Sequence, residues 1–204
     1  MSPAASALEV FRGTGKRERI LRAAVDVFAR TGYFNARVSE VARAAGVADG
    51  TIYLYFEGKE DLLITIFREQ SRIFLGALRE ELAGLTSATE RLRRLVSFHL
   101  EAMGADRSLA IVLQVELRQS LKFISLISRE ELREYLDVIR EVVEEGVRRR
   151  EFRRPPHAQL VANAIFGVLD EVTTTWILSE KEYSPEMHSG AVADFVLHGL
   201  AGQR

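Results

Sequence analysis

No proline occurs between Ala4 and Arg154. Proline lacks a backbone N–H and its ring clashes with the preceding turn, so it is the commonest helix breaker. Here it is confined to Pro3, Pro155, Pro156 and Pro185. Long helices are therefore permitted over most of the chain, and the apolar spacing uses that permission. Ile20, Ala24, Val27 and Phe28 recur at three and four positions, as do apolar residues along the segment holding Leu62, Ile66, Ile73 and Leu78. No segment alternates convincingly with period two, so the expected fold class is all-α. Helices are expected over 16–31, 38–45, 49–56, 59–83, 88–104, 107–119, 128–150, 158–179 and 185–200. Gly32 and Gly46 follow amphipathic runs where a left-handed cap residue is cheapest. Pro155 and Pro156 end one helix and pre-set the next.

Composition narrows the function classes. With 204 residues, 47% hydrophobic and 28% charged, the chain can bury a substantial core and is not of disordered type. It holds no cysteine, which excludes disulfides, thiolate metal sites and cysteine nucleophiles. No apolar run reaches the roughly 20 residues of a membrane span without polar interruption, and no cationic lead opens the N-terminus, so the chain is read as cytoplasmic with no membrane partner. The formal charge is −1, but it is unevenly spread: residues 1–56 carry 8 basic and 5 acidic side chains, net +3, and the remainder net −4.

That basic segment contains RVSEVARAAGVADGTIYLYF, from Arg37 to Phe56. Its spacing is that of two short helices joined by a tight turn at Gly46, with small Ala42 at the crossing and Val41, Val47 and Ile52 set to wedge the angle against Phe28. Such a unit lays its second helix in the DNA major groove while flanking groups hold phosphates. Thr51, Tyr53 and Tyr55 supply hydroxyl donors for phosphate oxygens, and Gly50 lets the backbone approach the duplex. Asp49 either accepts from cytosine N4 or serves as a first-turn acid favoured by the helix dipole. Lys59 opens the following helix, where ammonium and helix N-terminus together suit a phosphate. A small aromatic core cluster is the alternative for Tyr53, Tyr55 and Phe56; Phe56 is assigned to it and both tyrosines to DNA.

The stretch GYFNARVSEVARAAGVADGTIYLYFEGKEDLL resembles the N-terminal signature of TetR-type transcriptional regulators, over about Lys16 to Leu63. Two departures stand out: Arg37 occupies a position where a capping Thr or Ser is common, and Ala48 with Asp49 replaces a common Ser-Lys pair. The first could add a phosphate contact; the second bears on which bases are read. The resemblance implies a flexible tail over 1–15, a helix-turn-helix domain over 16–60, and an effector-binding and dimerisation domain over 61–204. It implies a homodimer on a palindromic double-stranded operator, since one short recognition helix contacts too few base pairs alone. It also implies dimer contacts through the last two long helices, where Ala164, Gly167, Ala193, Val196 and Gly199 would allow close approach.

The stretches LAIVLQVELRQS, Leu109 to Ser120, and FGVLDEVTTTWIL, Phe166 to Leu178, resemble those of the fatty-acid-degradation regulators within that family, which release DNA on binding long-chain acyl-coenzyme A. The resemblance implies an acyl chain among Phe74, Leu95, Phe98, Met103, Leu113, Leu117 and Phe166, with no cofactor; His99, on the same apolar helix, is either a further effector-binding residue or a satisfied core histidine. Coenzyme A phosphates call for arginine at the mouth of such a site, and Arg118, Arg148 and Arg149 are candidates, although a helix C-terminus favours arginine for dipole reasons alone. Asp170 lies on an apolar face and needs a partner if buried; Arg118 is one possibility, a ligand group another. An effector of drug type remains the alternative. A helical lipid-modifying enzyme is the rival from another class, but the four histidines are scattered and neither metal-ligand spacing, phosphate loop nor nucleophile elbow appears.

Overall fold

The computed structural model describes residue 11 and residues 13–115, 130–154 and 157–201. Among these the regular structure is helical, with no strand, as the periodicity predicts. Among the described residues nine α-helices follow in order: α1 (Lys16–Thr31), α2 (Val38–Ala45), α3 (Asp49–Ile52), α4 (Lys59–Ala83), α5 (Ala88–Ala105), α6 (Arg107–Gln114), α7 (Glu131–Arg148), α8 (Ala158–Leu178) and, after a 3-10 turn over Pro185–His188, α9 (Ser189–Leu200). Phe11 is buried, so that residue of the expected tail belongs to the core; residues 1–10 and 12 lie outside the described ones.

Both glycine stops hold, by different geometries. Gly46 adopts the left-handed conformation, φ 66° and ψ 40°, and its N–H returns to the Ala42 and Arg43 carbonyls. Gly32 instead takes φ 76° and ψ 146°, a region essentially open to glycine alone. Helix α3 is shorter than expected. After Ile52 the Leu54 and Tyr55 N–H groups bond three residues back, to Thr51 and Ile52. This tightened turn carries Phe56 back into the core, where it is 3% exposed.

Helix α4 joins the two parts of the molecule. Its 25 residues span about 37 Å at 1.5 Å per residue. It packs on α1 at one end and on α5 and α7 beyond. Helix α1 also rests on α6. Two ion pairs fasten α1 there: Arg17 with Glu69 of α4, and Arg22 with Asp106, the residue between α5 and α6. Asp106 also caps α6, its second oxygen accepting the Leu109 N–H at 3.0 Å. At the far end α7 stops with Arg150 at φ 62°, and Phe152 folds back onto Gly146, where a Cβ would lie 2.0 Å from the ring. The turn brings Glu151 to the start of α5, where its carboxylate accepts from Ser87 Oγ at 2.8 Å, Thr89 N at 2.8 Å and Ala88 N at 3.1 Å.

By length and composition α8 is apolar enough to cross a membrane, contrary to the reading from interrupted runs, and only a third of that stretch is buried within the protomer. Its outer side shows Leu160, Ala164, Gly167 and Leu178, and the outer side of α9 shows Phe195.

Candidate functional site

The N-terminal three helices are locked by Phe28, Val41, Ala42 and Ile52, all fully buried, with Val47 packed against them. Burying four such side chains fixes the α2–α3 angle and leaves the opposite side of the unit open to solvent. Arg37, Ala48, Asp49, Gly50, Tyr53 and Tyr55 are exposed there, and Thr51 is half-buried. Tyr53 is 61% and Tyr55 43% exposed, which leaves both phenols available, whereas Phe56 is interior with the Arg17 guanidinium 5.6 Å from its ring centroid. Arg37 occupies the N-cap of α2 and its N–H donates to Glu40 at 2.8 Å. A guanidinium has no acceptor to give the helix in return, so half of a capping box forms and the cation is left for another task. Ala48 caps α3 with no polar side chain, and Asp49 lies in its first turn, compatible with either of its two roles. A Cβ on Gly50 would meet nothing within 4 Å.

Lys59 departs from expectation. Its ammonium donates to the carbonyls of Phe34 and Ala36, each at 3.0 Å, and stands 4.6 Å from the Tyr33 ring centroid. Burial lowers its pKa. The group therefore clamps the α1–α2 turn onto the start of α4, and two of its three donors are spent within the chain.

The interior of the larger part is built around an aromatic cage from four helices. Phe74 of α4 meets Phe98 and His99 of α5 and Tyr135 of α7 at centroid distances of 5.3, 5.9 and 5.4 Å. Phe166 of α8 closes on Tyr135 at 5.8 Å. Leu95, His99 and Met103 share one stripe of α5 at i, i+4 and i+8 and are all buried. Leu113 packs half-buried against the same core. Three of the expected effector residues, Phe74, His99 and Phe166, thus converge on Tyr135, which the sequence reading passed over, and Phe98 joins them through Phe74. The Tyr135 hydroxyl and His99 Nδ1 are 2.9 Å apart and the rings stack, 8° from parallel. Burial pushes the His99 pKa down to about 4, opposed by the nearby Asp170 carboxylate, and pushes the Tyr135 phenol up.

Other expected residues do not join the cage. Leu117 and Arg118 lie outside the described residues, and with them the suggested Arg118–Asp170 pair. Arg148 and Arg149 are exposed at the end of α7, thirteen and fourteen residues beyond Tyr135 and so about 20 Å along the axis. Arg149 pairs with Glu145 at 2.8 Å. Of the small residues proposed for dimer contact, Ala164, Gly167 and Gly199 are exposed, but Ala193 and Val196 are 2% and 7% exposed within the protomer. Those two are corrected to core positions, because α9 turns them toward α5. Among the described residues no group of three or more His, Asp or Glu could hold a metal ion.

Comparison with known proteins agrees with this architecture. Residues 20–66 match the family profile described as bacterial regulatory proteins of the tetR family, and residues 67–199 match that of the YsiA-like protein C-terminal region. The fatty acid metabolism regulator protein of Bacillus subtilis is 37% identical over 185 residues, 91% of this chain and 95% of that protein. A crystal structure of the transcriptional regulator FadR from Bacillus subtilis in complex with stearoyl-CoA is 38% identical with a TM-score of 0.84, covering 90% of this chain and 98% of that one. The fatty acid degradation regulator FadR from Bacillus halodurans is 40% identical with a TM-score of 0.87, covering 94% and 100%. The chain belongs to the TetR family of transcriptional regulators, with a YsiA-like C-terminal region, and is a regulator rather than an enzyme.

Proposed function

We propose that this chain is a cytoplasmic, homodimeric repressor of fatty-acid degradation genes that leaves its palindromic operator when long-chain acyl-coenzyme A enters the aromatic cage. The reading divides the chain into a DNA-binding part over 16–60 and an effector and dimerisation part over 61–204. One observation carries it: Phe74 of the cage and Lys59 of the α1–α2 clamp belong to the same uninterrupted helix, α4. A ligand that wedges Phe74 away from Phe98 and Tyr135 tilts that helix, and the trihelical unit is pinned to it. The stearoyl-CoA bound by the 38% identical relative supports the ligand class.

In the operator-bound dimer the two recognition helices stand about 34 Å apart, one turn of DNA. Arg37, Thr51, Tyr53 and Tyr55 hold phosphates, Gly50 admits the backbone to the groove, and the outer sides of α8 and α9, with Leu160, Ala164, Gly167, Phe195 and Gly199, meet the partner. Effector acts only through its unequal affinity for the two spacings.

Fluorescence anisotropy on a duplex from the protein's own promoter tests this. Acyl-coenzyme A of increasing chain length should release the duplex at falling concentration, by roughly fourfold per methylene while the chain stays buried, from about 0.8 kcal/mol each. Release by an amphipathic drug but by no acyl thioester would remove the ligand reading and leave the DNA reading standing.

A further inference from the structure

We infer that His99 Nε2 is the donor that receives the thioester carbonyl oxygen of the acyl effector inside the cage. The inference rests on the ligand class proposed above and adds the atom that recognises it. His99 is 4% exposed, and among the described residues its Nε2 has no hydrogen-bond partner. Its other nitrogen is engaged at 2.9 Å by the Tyr135 hydroxyl.

The tautomer follows from the relative acidity of the two groups. If Nδ1 carried the proton, it would donate to the phenol oxygen, leaving the phenol proton and the Nε2 lone pair both unmet in an apolar interior. If the phenol donates to Nδ1 instead, the only donor left over is the Nε2–H. Each arrangement leaves one donor unmet, but a phenol is the stronger acid and an imidazole nitrogen a stronger acceptor than a phenol oxygen, so the second is favoured and the cage presents an N–H lying in wait for an acceptor. The nearby Asp170 carboxylate disfavours an anionic ligand group at that point. A neutral carbonyl fits. Acyl-coenzyme A has three neutral carbonyls, the thioester's and two pantetheine amides, and the thioester oxygen is the one that adjoins the chain, so it reaches the cage with the first methylenes, which are content among Phe74, Phe98 and Phe166.

The test compares stearoyl-CoA with its thioether counterpart, S-octadecyl-CoA, which keeps the chain and the nucleotide but lacks the carbonyl. Binding of each to the full-length dimer is measured by calorimetry. Wild type should prefer the thioester by about tenfold, the order of one hydrogen bond, and His99→Phe should bring the preference below about twofold. His99→Gln, which places an amide donor near the Nε2 position, should keep at least about threefold. A ratio is read, so a loss of packing that weakens both ligands alike does not imitate the result. Equal binding of the two by wild type, or an undiminished preference in His99→Phe, overturns the inference. The wild-type arm needs no substitution and can overturn the inference by itself, and His99→Gln carries the assignment to the histidine if the phenylalanine variant fails to fold. Failure of both compounds to bind wild type overturns the acyl-coenzyme A reading itself, a separate result.

Discussion

Lys59→Met separates a clamp from a phosphate contact. The methionine keeps the side-chain stem and deletes the ammonium, with its bonds to the Phe34 and Ala36 carbonyls at 3.0 Å and its position over Tyr33 at 4.6 Å. Each hydrogen bond from a charged donor at this partly wet site contributes about 1 kcal/mol, and the cation over the ring adds about 0.5–1 kcal/mol. The expected loss is about 2–3 kcal/mol. For a chain of this size that is a fall in melting temperature of roughly 4–12 °C, measured at fixed protomer concentration because the dimer couples stability to concentration. Operator affinity is then titrated against salt. A lysine lying on phosphate contributes about 0.9 to the slope of log K against log salt per protomer, so its removal from both would flatten the slope by roughly 2. A clamp leaves the slope unchanged within about 0.3 while the melt shifts. A stability change under about 0.5 kcal/mol with a flattened slope refutes the assignment.

Gly50→Ala should leave unfolding unchanged or raise stability by up to about 1 kcal/mol, since the added methyl meets nothing in the chain, yet weaken operator binding at least about tenfold; equal affinity would show that the groove does not approach this face. Glu151→Gln should cost about 1–2 kcal/mol at neutral pH by removing the charge that caps α5. Burial alone would raise the Glu151 pKa, but the bonds from Thr89, Ser87 and Ala88 bring it down from 4.5 to about 2. The contribution is therefore present above pH 4.5 and lost as pH falls toward 2, so urea melts of variant and wild type should converge at the acid end; a constant gap contradicts the capping role. Phe195→Asp, at a residue 69% exposed, should sediment as a monomer with unchanged circular dichroism, and a dimer of wild-type strength would exclude the outer side of α9 from the interface.

Much of this architecture is legible in the residues. The bounds of α1, α2 and α4 coincide with their expected ranges because each is delimited by a glycine or begins beside one: Gly32, Gly46 and Gly58. In the second short helix, where no glycine stands at the end, spacing overreaches. The run from Tyr53 to Phe56 reads as helix, but burying Phe56 needs a tighter turn, a tertiary demand that propensity does not contain. Small size at Ala193 and Val196 is equally ambiguous, since core and partner both accept it and only the rotation of α9 decides. Tyr135 was findable: with Val138, Ile139, Val142 and Val143 it forms the buried stripe of α7, hidden only by the dense charge around it. Its bond to His99 joins residues 36 apart, and no local pattern announces such a meeting.

One carboxylate is shared between two tasks. Asp106 holds the Arg22 guanidinium with one oxygen and the first turn of α6 with the other, so the orientation of the DNA-reading helices and the seating of α6 share a common pivot. A displacement of α6 therefore pulls on α1 through this carboxylate. Asp106→Asn would keep an acceptor for Leu109 while loosening Arg22; under the proposed function it should bind acyl-coenzyme A as wild type does in calorimetry yet release the operator less readily in anisotropy.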